Sequence, residues 1–501
     1  MTPDMLIAAA ICLPLVIAAG IAALGKFPNL REGVTLIGSV GLFAVVIQLT
    51  MLVAAGARPE LYVGEAVPGL AFAFKLEPLG ALFAVVASGL WIVNSFYSIG
   101  YMRGNRERNQ TRFYICFAFA LCGAMGVAMA GNLFTLFVFY EVLTLSTYPL
   151  VAHKGDAAAQ RGARIYLLTL LGTSIGLLLT AVMWTWALAG QSLDFVEGGL
   201  LANANLTPAV ASALLLLFVF GVGKAALMPF HFWLPNAMVA PTPVSALLHA
   251  VAVVKAGVFS VMKISVYIFG EDLLNATPSR EFLMIVACIT IVLASLIAMT
   301  KDNLKARLAY STVAQLAYVT LGAMLADQAG MMGGSIQIAA HAAGKITLFM
   351  CAGAIYVATG LTNISDMKGL GRKMPLVFIA FFIASLSIIG IPPLAGAWPK
   401  YELMQGAVDG GAGWVLAVLV ISSILNIAYL LPIPILALMP VPGTKPPKEF
   451  KRPGGAPALT VAAPVFTAAL CLVLFFMITP ISNFLAPAFQ TADILSEVDL
   501  P

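Results

Sequence analysis

Runs of about 20 mostly apolar residues recur along the chain from residue 3 to residue 480, separated by short polar connections. Each run is long enough to cross a bilayer as a helix. The pattern predicts about 14 spans, at 3–25, 33–56, 72–99, 113–130, 132–152, 163–190, 208–229, 243–270, 282–300, 306–326, 333–359, 374–398, 412–439 and 458–480. The expected fold class is an all-α polytopic membrane protein. The opening stretch, MTPDMLIAAAICLPLVIAAGIAAL, lacks a basic start and its apolar run is longer than a secretory signal's, so it is expected to be the first span.

Composition agrees with the pattern. The 501 residues are 61% hydrophobic and 10% charged, with a mean hydropathy of +0.98. Charge placement adds orientation. If the connections are assigned alternately to two sides, one side (26–32, 101–112, 153–164, 301–307, 366–373 and 442–452) carries 19 Lys+Arg and 6 Asp+Glu. The other side carries 2 Lys+Arg and 13 Asp+Glu. Basic residues near span ends stay in the cytoplasm, so both termini are expected outside, across a bacterial plasma membrane. The basic loop MRGNRERNQTR fits this topology signal more simply than an anionic-lipid site.

Six cations remain within predicted spans (Lys75, Lys224, Lys255, Lys263, Lys345 and Lys400), with three acids, Glu77, Glu141 and Glu402. His249 and His341 are also in spans, and His231 ends the seventh. A charge at mid-bilayer costs about 2.5–3.5 kcal/mol on insertion scales, and such groups usually line an ion or proton path. Lys75 and Glu77 start the third span and are expected to reach the membrane surface or to pair with each other. Lys263 sits late in a long span and has the same structural reading, its stem stretching to the interface. Glu402 is two residues from Lys400, too close to face it on a helix, and has no assigned role. Glu141 is different, because its short side chain lies near mid-span among apolar residues. His341 and Lys345 are four apart and share a helix face; a satisfied core histidine is the structural alternative for His341. His249 and Lys255 are six apart and point to different sides of one span.

Helix breaks supply a second signal. Pro229 and Pro235 interrupt the seventh span just after Lys224, and Pro392, Pro393, Gly396 and Pro399 interrupt the twelfth ahead of Lys400. Irregular backbone at membrane depth survives only where protein or water satisfies its polar groups. Broken helices at matching positions in two halves mark inverted-repeat transporters. Two inverted five-helix repeats, spans 4–8 and 9–13, are therefore expected, each with a broken helix and its own lysine. The organisation is then 1–112 (three spans and a basic loop), 113–271 (first repeat), 282–440 (second repeat) and 441–501 (basic loop, last span, acidic tail).

The stretches GNLFTLFVFYEVLTLSTYPLVAHK, GVGKAALMPFHFWLPNAMVAPTPVSALLHAVAVVKAGVF, KDNLKARLAYSTVAQLAYV and GIPPLAGAWPK resemble the antiporter-like proton-translocating subunits. These occur in Mrp-type multisubunit cation/proton antiporters, respiratory complex I and membrane-bound hydrogenases. The resemblance runs over spans 3–13 and is strongest to the D-type subunit of the Mrp-type antiporters. It implies a core of 14 helices with two inverted five-helix repeats. By position it assigns Glu141 to the family's fifth-span glutamate, Lys224 to its broken-helix lysine and Lys255 to its eighth-span connecting lysine. His249 becomes a relay, His341 and Lys345 the eleventh-span link, and Lys400 the terminal ionisable group of the twelfth span. Some complex I members carry glutamate at that last position, so the lysine narrows the choice.

The expected mechanism follows from those residues. Burial disfavours a charged lysine and a neighbouring carboxylate favours it, so Glu141 is expected to pair with Lys224 and to switch its proton. The proton then passes by waters and His249 to Lys255, through His341 and Lys345, to Lys400. Arginine would not serve, because it stays charged. The partners implied are other membrane subunits of a hetero-oligomeric antiporter, the lipid bilayer, protons and a monovalent cation, Na⁺ first; nucleic acid is not among them. The alternative is the pump subunit of a complex I-like oxidoreductase or a hydrogenase. An inorganic-carbon uptake partner would reuse the same path, and a pure scaffold would not need six span cations. The six cysteines form no CxxC pair, and no glycine-rich nucleotide loop occurs, so neither a metal site nor a cofactor site is expected. A transporter subunit is expected rather than an enzyme; within a redox complex it would be a translocase with no redox centre of its own.

Overall fold

The computed structural model describes residues 2–247, 250, 252–439 and 455–489. His249, the basic loop at 442–452 and the acidic tail lie outside the described residues. Among those described, eleven helices are long and apolar enough to cross a membrane, and two shorter apolar helices, Pro208–Gly221 and Pro375–Ile389, accompany them. The chain is a polytopic helical membrane protein carrying one small sheet.

Helices α1 (Pro3–Ala23), α2 (Pro28–Ala54), α3 (Pro78–Gly104) and α4 (Gln110–Ala128) pack side by side. Proline opens α1, α2 and α3, where its missing N–H has no partner to lose. The third span was expected to begin at 72, but residues 60–75 form a hairpin, β1 (Glu60–Val67) with β2 (Leu70–Lys75). The alternation in LAFAFK suits a half-buried strand, and Gly69 takes the positive φ (+82°) that the turn requires. β2 is tied to the link between α4 and α5 (Leu133–Val151) by Gly131 N–H to Ala73 O and by Asn132 Nδ2 to Ala71 O, both at 2.9 Å.

Helix α6 (Ala157–Thr173) continues through a π-turn at Ser174–Leu178 into α7 (Leu179–Leu188). Then α8 (Pro208–Gly221) stops short. Two brief helices, α9 (Trp233–Asn236) and α10 (Thr242–Ala246), precede α11 (Val253–Ile264), and α12 (Glu271–Ala276) leads to α13 (Ser279–Thr300). Next come α14 (Leu304–Leu325) and α15 (Gln328–Thr359). Helix α16 (Pro375–Ile389) is broken from α17 (Ala397–Asp409), after which α18 (Trp414–Leu430), α19 (Pro432–Leu438), α20 (Ala458–Phe476) and α21 (Ile478–Leu485) complete the order.

Helix α15 organises the interior. Its 32 residues span about 48 Å at 1.5 Å per residue, and its most apolar stretch is wholly buried. It packs against α3, α10, α11, α14, α16, α17 and α20. Where it crosses α14, a Cβ on Gly322 would lie 2.9 Å from the Gly334 Cα. The two backbones therefore touch, as small residues allow at helix crossings in membranes. A helix with protein on all sides can carry ionisable groups away from lipid, and His341 and Lys345 sit near its midpoint.

Candidate functional site: a buried lysine–histidine chain

The break at Lys224 begins before the prolines. Helix α8 ends at Gly221, and Lys224 lies in a 3₁₀ turn, Gly223–Ala225, followed by Ala226 in the left-handed region. Pro229 and Pro235 come later, so they prevent the helix from resuming rather than end it. Two of the backbone groups freed here find partners in side chains. The Lys224 N–H donates to Tyr140 Oη at 3.0 Å, and the Trp233 indole donates to Gly223 O at 3.0 Å. The Lys224 ammonium donates to Tyr140 O at 2.7 Å and Thr144 Oγ1 at 2.6 Å, and sits 3.1 Å from the Tyr140 ring centroid. Such ring contacts are most favourable when desolvated, and Lys224 is fully buried.

Glu141 was expected to pair with Lys224. Among the described residues it forms no ion pair, and neither buried carboxylate oxygen has a hydrogen-bond partner. The cause is local: Glu141 follows Tyr140 on α5, and Lys224 is instead held by the Tyr140 carbonyl and the Thr144 hydroxyl, which face the turn. Glu141 is nonetheless near enough for its charge to act on Lys224 without direct contact.

Beyond the turn, contacts tie Lys255 to α15 and Lys345 to α14. Gly257 on α11 lies against the Lys224 turn, where a Cβ would come 2.8 Å from the Lys224 Cβ. Two residues earlier, Lys255 Nζ approaches His341 Nδ1 on α15 at 2.6 Å, with both residues buried. One turn on, Lys345 Nζ donates to Ser311 Oγ of α14 at 2.5 Å. Across the second break, α16 ends at Gly390 (φ +93°), and Pro392 and Pro393 follow before α17 starts at Ala397. Lys400, in the first turn of α17, donates to Ile389 O at 2.5 Å and Ser423 Oγ at 2.8 Å. Its ammonium thereby satisfies a carbonyl that the broken helix leaves open. A β-carbon at Gly390 would lie 2.8 Å from the Lys400 Cδ, so glycine there makes room for the lysine as well as the turn.

Two expectations need correction. Lys75 and Glu77 do not pair with each other: Lys75 meets Glu60 at 2.9 Å at the surface. Glu77 pairs instead with Lys263, Nζ to Oε1 2.5 Å. Lys263 does not stretch to the interface but is fully buried, donating also to Ala130 O at 2.7 Å. The strand at 70–75 redirects the chain, so Glu77 enters the interior at the start of α3 while Lys75 faces out. Sequence reading also missed Tyr140, Thr144, Ser311, Ser423, Asn426 and Tyr429. Their only signal is polarity inside apolar runs. No cluster of three or more His, Cys, Asp or Glu among the described residues is arranged to hold a metal ion.

Chemically, the arrangement suits proton transfer. Lysine amine and imidazole each accept and release one proton, and at 2.6 Å Lys255 and His341 can exchange one directly.

Residues 130–426 match the family described as NADH:quinone oxidoreductase/Mrp antiporter, TM. The chain is 33% identical over 371 residues to NADH-quinone oxidoreductase subunit N of Desulforudis audaxviator, covering 74% of this chain and 73% of the relative. It is 27% identical over 400 residues to the D-type subunit of the Na(+)/H(+) antiporter of Alkalihalophilus pseudofirmus, covering 79% of each. A chain of the Mrp complex from Dietzia sp. DQ12-45-1b shares the fold, with a TM-score of 0.83, 22% identity and 97% of both chains covered. With the matched region spanning more than half of its length, this chain belongs to the NADH:quinone oxidoreductase/Mrp antiporter membrane family, as an antiporter-like proton-translocating subunit.

Proposed function

We propose that this chain is the D-type proton-path subunit of an Mrp-type multisubunit antiporter exchanging protons for a monovalent cation, Na⁺ first. Glu141, Lys224, His249, Lys255, His341, Lys345 and Lys400 carry the proton, and other membrane subunits complete the complex. The observation that carries this reading is the Lys255–His341 contact of 2.6 Å on the fully enclosed helix α15, with Lys345 on the same face. Fourteen spans in two inverted five-helix repeats (113–271 and 282–440), flanked by 1–112 and 441–501, fit two breaks that each present one lysine. The membrane is a bacterial plasma membrane and the termini face out.

Glu141 acts as the switch. While Lys224 stays on Tyr140 O and Thr144 Oγ1, its proton is held; when Glu141 approaches or withdraws, the proton is stabilised or released towards Lys255. Moving one charge through 100 mV is worth about 2.3 kcal/mol, and two units of lysine affinity take about 2.7 kcal/mol. A membrane potential is therefore of the right size to drive the step. The test is cation-dependent proton flux in proteoliposomes of the complex purified through this chain. Lys224→Ala and Lys224→Arg are both expected to abolish flux, the latter because arginine holds its proton. Full flux in either would end the proposal. The likeness to subunit N of an oxidoreductase favours a second reading, the pump arm of a redox complex. Flavin or iron–sulfur absorbance bands that bleach on reduction of the purified complex would favour that reading over the antiporter.

A further inference from the structure

Lys345 and Lys400 stand on different helices, and neither touches the other directly among the described contacts. What lies between them is a row of hydroxyls and an amide on α14 and α18. Ser311 Oγ, which accepts from Lys345, lies 2.8 Å from Tyr429 Oη. The Tyr429 phenol donates in turn to Asn426 Oδ1. One turn further along α18 are Ser422 and Ser423, and Ser423 Oγ accepts from Lys400. Tyr318 of α14 closes the row: its ring lies 5.5 Å under the Lys400 ammonium, and its hydroxyl lies beside that of Ser422. Ser311, Tyr318, Ser422, Asn426 and Tyr429 are at most 1% exposed. Asn426 Nδ2 is buried without a hydrogen-bond partner, while the Tyr318 and Ser422 hydroxyls face each other.

A structural role for so many buried polar groups is hard to sustain. Each unpaired buried polar atom costs about 1–3 kcal/mol, and hydrophobic side chains would fill the same space. One such atom, Asn426 Nδ2, lies with the Ser422–Tyr318 hydroxyl pair at the point where the hydrogen-bonded row from Lys345 stops and the contacts of Lys400 begin. The phenol of Tyr429 is the pivot, because it touches both the Ser311 hydroxyl and the Asn426 amide, with the Ser295 hydroxyl also beside it. Its backbone is anchored, since Arg307 Nη1 donates to Tyr429 O at 3.2 Å.

We propose that Ser311 and Tyr429 form a hydroxyl relay that carries the proton from Lys345 to the Tyr318–Ser422–Asn426 cluster beside Lys400, with Tyr429 as its gate. Lys345 gives its proton to Ser311 Oγ as the Ser311 proton passes to Tyr429 Oη and, with the phenol turned, the Tyr429 proton passes through the Ser422 and Tyr318 hydroxyls to the neutral amine of Lys400. Each hydroxyl gains one proton and loses one, so no charge stays on the relay. An amide carbonyl accepts a hydrogen bond but is a poor proton carrier. While Tyr429 donates to Asn426 the relay is therefore closed, and turning the phenol towards Ser422 and Tyr318 opens it.

This inference rests on the proton path proposed above, and the test separates the two. Flux is measured in proteoliposomes of the whole complex with Tyr429→Phe, Ser311→Ala, Lys345→Ala and Lys400→Ala, alongside complex assembly and melting temperature. Tyr429→Phe keeps the ring and is expected to assemble and melt as the native protein does, yet to lose at least about tenfold in flux. Its residual flux is expected to be slowed more by D₂O than native flux, a change that loosened packing alone would not produce. Ser311→Ala is expected to show the same pair of effects. Loss in both lysine variants with native flux in Tyr429→Phe and Ser311→Ala overturns the relay alone. Native flux in all four overturns the relay and the proton path together.

Discussion

Lysine in this chain has two distinct uses, and its contacts separate them. Lys224, Lys255, Lys345 and Lys400 hold neutral groups (carbonyls, hydroxyls or an imidazole) and form no ion pair among the described residues. Lys263 is held by a carboxylate, Glu77, with both groups buried. A lysine on neutral ligands can lose its proton without stranding an anion; one locked to a carboxylate cannot. Glu77–Lys263 therefore reads as a staple between α3 and α11. Lys263→Met alone is expected to destabilise the protein by about 3–5 kcal/mol, because it leaves a buried carboxylate uncompensated. Glu77→Met/Lys263→Met should recover most of that stability and retain proton flux. Unfolding and flux measured on the same detergent preparations check both points, and a double variant that is stable but inactive would move this pair into the proton path.

Elements matter through their interruptions. The α8 break is held by Trp233, whose indole satisfies Gly223 O. Trp233→Phe removes one of the two hydrogen bonds to Gly223 O, the other coming from the Ala226 N–H at 3.0 Å; it is expected to cost about 0.5–1.5 kcal/mol and to lower flux by loosening the Lys224 turn. A melting curve together with a flux assay reads both effects. The connection between α5 and α6 carries a different signal. His153 is 5% exposed, packs edge-on near the Phe113 ring at 5.9 Å, and burial holds its imidazole below the ordinary histidine range. The unfolded chain therefore binds a proton first as pH falls below about 6.5, and stability drops by up to about 1.4 kcal/mol per pH unit until the folded imidazole also titrates. Above that range the contribution is fully present. The difference in melting temperature between native protein and His153→Gln should narrow between pH 7 and pH 5.5; a constant difference would show that His153 does not titrate on unfolding.

For the whole molecule, orientation rests on the charge split between the two faces. With a cysteine-free background, Asn203→Cys on the acidic face is expected to react with a membrane-impermeant maleimide in intact cells. Ala158→Cys on the basic face should react only after lysis, and the reverse pattern would invert the topology. The same scale explains why the buried lysines and His341 are enclosed. A few neighbouring helices could shield a single lysine from lipid, but a row of ionisable groups needs a helix with protein on all sides. α15 is that helix, gathered in by small-residue crossings such as Gly322–Gly334.

The apolar runs and the burial of Lys224, Lys255, His341, Lys345 and Lys400 within them were legible in the sequence. They follow from solvation, which acts on each residue and each window of about 20 residues independently of the rest of the chain. Spacing along one helix also predicted that His341 and Lys345 share a face. Partners were not legible. That Lys255 meets His341, that Glu77 meets Lys263 rather than Lys75, and that Tyr429 stands between Ser311 and Asn426 depend on contacts across 86, 186 and 118 positions of sequence. The hairpin at 60–75 was missed because a short apolar alternation beside a long apolar run reads as part of that run. Helix ends at Gly221 and Ile389 were misplaced for a related reason: the freed backbone groups are satisfied by Tyr140, Trp233 and Lys400, residues that only packing brings to the break.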